Sequence, residues 1–104
     1  MSPRPKLDID SEGLRITYPE FGAQAELKWA DVTSLDATRV STPDGRVQIF
    51  SLVHENGETL ELNDDIPKFD RRIDEIAALL NISSIDLAKL RSTKPGSVTT
   101  IRIR

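Results

Sequence analysis

The feature that most constrains how this chain folds is a single change of hydrophobic period. Up to Leu62, apolar residues recur at alternate positions in short runs separated by turn residues; from Phe69 they recur at helical spacing. A period of two puts side chains alternately on the two faces of a strand, whereas a period of about 3.6 gathers them on one stripe of a helix. Such a pattern asks for an antiparallel meander whose apolar face is covered by a helix, an α+β fold. At 104 residues the chain is expected to form one domain around one core.

The runs can be read in order. Leu7-Asp8-Ile9-Asp10 and Leu14-Arg15-Ile16-Thr17-Tyr18 alternate on either side of Ser11-Glu12-Gly13 and predict a hairpin. Pro19 ends the second strand, and Ala23 to Trp29 gives a third with Ala23, Ala25, Leu27 and Trp29 on one face. Val32 to Val40 is rich in β-branched residues but weakly patterned, and is read as a strand closed by the turn Pro43-Asp44-Gly45. Val47 to His54 has apolar residues on both faces, which predicts a central strand. Asn56-Gly57 predicts a two-residue type I′ turn into Glu58 to Leu62. Asn63, Asp64 and Asp65 then offer a side-chain cap, and Pro67 a first turn, for a helix over about 67–81. Phe69, Ile73, Ile76, Leu79 and Leu80 form its stripe. A short second helix over Ser84 to Arg91, capped by Ser83, and a final strand over Val98 to Arg104 complete the prediction. Residues 1–6 read as a flexible segment, residues 7–82 as the sheet and capping helix, and residues 83–104 as an extension of the same domain.

The order of these elements resembles the pleckstrin-homology-like fold, in particular the small bacterial members. The resemblance lies in Leu27-Lys28-Trp29 followed by Ala30-Asp31-Val32, the Pro-Asp-Gly turn, the long apolar strand, the Asn56-Gly57 hairpin, and Asp64 to Phe69 opening a helix. Trp29-Ala30-Asp31-Val32 is similar to that family's Trp-x-x-Ile step into the fourth strand. The resemblance implies a partly open barrel or two orthogonal sheets with a capping helix. It covers residues 7–82, with six strands before the helix where the full fold has seven. Members that bind phosphoinositides use basic residues in the first hairpin loop. Here that loop is Asp10-Ser11-Glu12-Gly13, with only Arg15 nearby, so no specific inositide binding is expected.

Charge is distributed unevenly. Leu7 to Asp65 holds thirteen acids against four bases, a net of −9, whereas Leu87 to Arg104 holds five bases and no acid. The acidic body argues against nucleic acid and anionic lipid, and the basic tail is expected to lie on it. No apolar run approaches the roughly 18 residues of a membrane span, and no apolar leader follows the polar start, so a cytoplasmic protein is expected.

With no cysteine there is no thiol nucleophile, disulfide or thiolate metal site. His54, the only histidine, would need an orienting partner and a pocket with carboxylates to act as a base. Asp64-Asp65 lacks calcium-loop spacing and is explained by helix initiation, so neither a metal nor another cofactor is expected. Trp29 reads as a core anchor and Phe21 as an exposed loop aromatic. These readings favour a non-catalytic interaction module acting on a protein or peptide, or on a second copy, through the edge of its last strand. Its partner-binding candidates are Phe21, Ile101, Arg102, Ile103 and Arg104. An acidic immunity-type protein that neutralises a basic toxin is the alternative; lipid-surface binding, nucleic-acid binding through the tail and a small α+β enzyme rank lower.

Overall fold

The stretch from Val32 to His54, rich in β-branched residues, forms the two longest strands. The structure, a computed structural model, describes residues 4–43 and 45–103, and of Thr42 and Arg46 the backbone alone. The strands are β1 (Lys6–Ile9), β2 (Gly13–Tyr18), β3 (Ala23–Lys28), β4 (Val32–Thr42), β5 (Gly45–His54), β6 (Thr59–Asn63) and β7 (Val98–Arg102). The helices are α1 (Phe69–Leu79) and α2 (Ser84–Arg91). All pairing is antiparallel, in a three-stranded sheet β1-β2-β3 and a four-stranded sheet β6-β5-β4-β7. The fold is α+β, and the described strands do not close into a barrel.

One core joins the layers. Leu14 and Ile16 of the small sheet, Leu35, Ala37, Phe50, Leu52 and Leu62 of the large one, and Phe69, Ile73, Ile76 and Leu80 are all buried in it. The stripe of α1 therefore covers the apolar faces, as the spacing asks. Leu79 departs from the reading: it is exposed, and Ala77 is buried on the opposite flank. Leu79 lies roughly a quarter turn from the middle of the stripe, beyond the reach of the core.

Several local readings are corrected. The Asn56-Gly57 turn is not type I′, because among these residues only Gly57 has positive φ. Gly57 N–H donates to His54 O at 2.8 Å and His54 N–H to Glu58 O at 2.8 Å. The loop is thus Glu55-Asn56-Gly57, a three-residue connection whose last position needs left-handed backbone. Trp29 leaves β3 and opens a 3₁₀ turn, Trp29–Asp31. Helix α1 begins at Phe69, after Pro67, with no side-chain cap. Asn63 Oδ1 instead accepts from Asp65 N–H at 2.9 Å and shapes the preceding turn. Ser83 does cap α2, its hydroxyl oxygen accepting from Asp86 N–H at 3.1 Å.

The weak pattern of β4 also has a cause. Val32 pairs with His54 but Ser34 with Val53, which leaves Thr33 as a bulge. One extra residue lets both Val32 and Leu35 face the core, so their spacing is three rather than two. The described ion pair of the basic stretch is made with α1, outside the acidic stretch Leu7 to Asp65, so it does not lay the tail on that stretch. Arg91 pairs with Asp74 of α1 at 2.9 Å and donates to Asp70 O at 2.8 Å, fixing α2 against α1.

Helix α1 ends in a Schellman turn. Ile82 N–H donates to Ala77 O at 2.9 Å and Asn81 N–H to Ala78 O at 3.2 Å, with Asn81 at φ 58°. Left-handed backbone costs most side chains about 1–2 kcal/mol, and asparagine and glycine less. Asn81→Ala is expected to lower stability by about 1 kcal/mol, and Asn81→Gly to match or exceed wild type. Urea unfolding midpoints of the two variants check this ordering.

Candidate functional site

Two surface regions gather the residues singled out in the sequence. The first is an open groove of about 560 Å³ beside the first hairpin, with Asp8, Asp10, Glu12, Glu26, Asp31 and His54 on its walls. Sequence reading missed this grouping because Asp31 and His54 reach the hairpin only through the 3₁₀ turn and the β5–β6 loop.

Asp10 builds the loop. Its Oδ1 accepts from Glu12 N–H at 2.8 Å and Gly13 N–H at 3.0 Å, and its carbonyl accepts from Trp29 Nε1 at 2.8 Å. Trp29 is buried, so the expected core anchor also staples the 3₁₀ turn to the hairpin. The Glu12 amide, then the Gly13 amide, and then the Arg15 charge hold the Asp10 carboxyl below its ordinary 3.8. A carboxyl lowered in this way stabilises the fold above its unfolded-state pKa, and that contribution disappears as pH falls through the folded value. The unfolding midpoint of Asp10→Asn is therefore expected to fall less than that of wild type between about pH 5 and pH 2.5. Parallel curves would show that the carboxylate's charge does not matter there.

His54 faces this groove with carboxylates nearby, the setting an acid–base reading asks for. Its Nδ1 accepts from Asn56 N–H at 3.0 Å, and its Nε2 faces Asp31 Oδ2 at 3.5 Å. In the neutral ring the one lone pair is thus already occupied by a backbone amide. The hairpin tip is joined to the 3₁₀ turn by the Glu55 N–H to Asp31 O bond at 2.9 Å, beside which the imidazole lies. No group of three or more His, Cys, Asp or Glu among the described residues is arranged to hold a metal ion. Asp64 and Asp65 are exposed in the turn before α1.

The second region is β7. It pairs with β4 from Ser34↔Arg102 to Thr38↔Val98, and so completes its own sheet. Ile103 N–H donates to Thr33 O at 2.8 Å. Because hydrogen-bonded and non-bonded pairs alternate along an antiparallel ladder, Ile101 and Thr99 also bond β4. The N–H and C=O groups of Val98, Thr100 and Arg102 then point the other way, along an edge where no described strand pairs. Ile101 and Ile103 are half-buried against the core, whereas Arg102 is exposed and Val98 is 63% exposed. Arg104 lies outside the described residues, as do Met1 to Pro3 of the segment read as flexible. Lys6 of that segment belongs to β1 and pairs with Thr17.

Phe21 is 77% exposed at the β2–β3 turn, on the rim of a groove that also includes Tyr18, Pro19 and Asn63. It lies on the small sheet's turn rather than on β7, so Phe21 is separate from the β7 candidates in the fold. Among the described residues no helix is long and apolar enough to cross a membrane. Comparison with protein-family models, with curated proteins and with solved structures finds no match for this chain.

Proposed function

We propose that this chain is a non-catalytic interaction module on a pleckstrin-homology-like plan, which engages a protein partner or a second copy by strand addition to β7. The observation that carries this reading is the edge of β7 along which no described strand pairs, and to which the backbone groups of Val98, Thr100 and Arg102 are turned. A strand edge of this kind is a template for another chain, and natural edges are normally blunted by bulges, prolines or inward charges. The register of β7 against β4 is unbroken over Val98 to Arg102, with no proline within it.

Thr100→Pro tests the reading with little disturbance of the fold, because the Thr100 amide does not bond β4. Thermal stability should change by no more than about 0.5 kcal/mol, as for a surface substitution. Light scattering of the pure protein and affinity capture from a cell extract are expected to show a dimer or a partner for wild type and neither for Thr100→Pro. A partner or dimer kept by the variant, or none formed by wild type, would exclude the edge.

A second reading rests on the first hairpin, where Asp8, Asp10, Glu12 and Asp31 share one groove with Lys28 and with the paired Arg15 and Glu26, an excess of acids over bases. Such a surface suits a basic protein, as an immunity-type neutraliser requires. Capture that weakens steeply with salt, and that Asp8→Lys with Glu12→Lys abolishes while Thr100→Pro does not, would favour it.

A further inference from the structure

Strand addition to β7 leaves open whose strand is added. We infer that it is β7 of a second copy, laid antiparallel so that Thr100 of each chain faces Thr100 of the other. This rests on the edge reading and names its partner.

The edge matches its own sequence. The backbone groups of Val98, Thr100 and Arg102 turn outward at every second residue, so an antiparallel neighbour must offer its own groups at the same interval. A two-fold axis at Thr100 pairs Val98 with Arg102, Thr100 with Thr100 and Arg102 with Val98, and each of these pairs exchanges both backbone bonds. This alignment uses the whole of β7, Val98–Arg102. Moving the axis toward either end leaves an outward residue of β7 with no counterpart in the other strand. Paired at Thr100, the two copies form one continuous sheet from β6 of one to β6 of the other.

The side chains agree with the backbone. Val98, Thr100 and Arg102 are exposed, while Thr99 and Ile101 between them are half-buried toward the core. Self-pairing sets Thr beside Thr, a favourable cross-strand pair. It also lays the aliphatic stem of Arg102 against Val98, which is 63% exposed in the single chain. Of the usual devices against edge association, β7 carries one charge, Arg102, and no proline or bulge. In this alignment the two Arg102 residues stand about 14 Å apart along the strands, four residues at about 3.4 Å each. That exceeds the Debye length of about 8 Å at physiological salt, so their repulsion is small. A foreign strand has less to match: Asn81, Asp86 and Arg102 line the groove beside β7 together with Ile82 and Ile103, so neither one charge nor an apolar pocket selects another sequence. Pairing two strands of 5 residues buries little surface, and a weak dimer with a dissociation constant of about 10–100 μM is expected.

The chain has no cysteine, so an introduced one reports proximity without background. In a hydrogen-bonded antiparallel pair the two Cα atoms are about 5.5 Å apart, within disulfide reach. Thr100→Cys is therefore expected to form a covalent dimer under mild oxidation at least about tenfold faster than Val98→Cys, whose Cα atoms lie beyond the roughly 7 Å limit. Combining Val98→Cys with Arg102→Cys should restore fast cross-linking, and adding Thr100→Pro should remove it. All three positions are exposed, which keeps the fold intact in these variants. Sedimentation equilibrium of the wild type should show a reversible dimer that Thr100→Pro dissolves. A wild type that stays monomeric at about 500 μM, or equal cross-linking of Thr100→Cys and Val98→Cys, overturns the proposal. If a monomeric wild type still captures a partner that Thr100→Pro loses, or if Thr100→Pro dissolves a dimer in which Thr100→Cys does not cross-link, this inference falls and the edge reading stands. A dimer that Thr100→Pro leaves intact removes both.

Discussion

Replacing Phe50 by alanine is expected to lower the unfolding free energy by about 3–5 kcal/mol, the range for deleting a buried aromatic ring. Phe50 lies on β5, inside the four-stranded sheet, and is 1% exposed. Its ring centroid is 5.6 Å from that of Phe69 at an interplanar angle of 55°. Tilted pairs of this kind add about 0.5–1.5 kcal/mol to the burial of each ring. Phe69 opens α1, so the pair ties the start of the helix to the middle of the sheet. A loss of this size is a large part of a small domain's typical stability of about 5–15 kcal/mol. Phe50→Leu gives a graded second measurement, with an expected loss below about 1.5 kcal/mol if the neighbours repack. Guanidinium unfolding of both variants checks the pair. A loss under about 1 kcal/mol for Phe50→Ala would mean that the α1 contact is not where the core is held.

Gly13→Ala has the next largest expected effect, and its cause is contact rather than backbone angle. Gly13 opens β2 opposite Lys28, and a β carbon there would lie 2.1 Å from Leu27 O and 3.0 Å from Leu27 C. The obstacle is backbone, so relief requires β2 and β3 to move apart. That movement would strain the bond from Trp29 N–H to Glu12 O, 2.9 Å long, and with it the packing of Trp29. Overpacking of this kind costs about 1–3 kcal/mol and sometimes more. Gly22→Ala is the comparison: Gly22 has φ 61° but open space around it, so its penalty is confined to backbone strain of about 1–2 kcal/mol. Tryptophan emission should shift in Gly13→Ala and stay fixed in Gly22→Ala. If both variants lose the same stability with unchanged emission, the close approach of the strands has no energetic weight.

Such an effect at Gly13 shows where the amino-acid pattern stops being informative. Ser11-Glu12-Gly13 reads as a turn, and that is right as far as it goes. Nothing local says that Gly13 is needed because β3 passes against it. The same holds for His54, whose ring accepts from Asn56 of its own loop and lies beside Asp31 across the fold. Asn56-Gly57 shows a subtler limit. Both a two-residue and a three-residue loop use glycine with positive φ, and the choice between them depends on the alignment of β5 with β6.

What the sequence determined by itself is the set of elements and the side each turns inward. Leu14 with Ile16, Phe50 with Leu52, and Phe69, Ile73, Ile76 and Leu80 are all buried as their spacing requires. That information is local, because the partition of apolar side chains from water follows from the repeat of strand or helix alone. The Ser83 cap is legible for the same reason, since a capping hydroxyl and the amide it accepts from are three residues apart. The tertiary structure decided which strands meet. It set β7 beside β4, released one residue of β4 as a bulge, and left the outer edge of β7 next to a groove walled by α1, α2 and Trp29. Those outcomes depend on pairings between residues some 60 positions apart, such as Leu35 with Ile101. Alternation along a strand specifies a face but not a neighbour, and the partner is fixed only when all the apolar faces close on a single core.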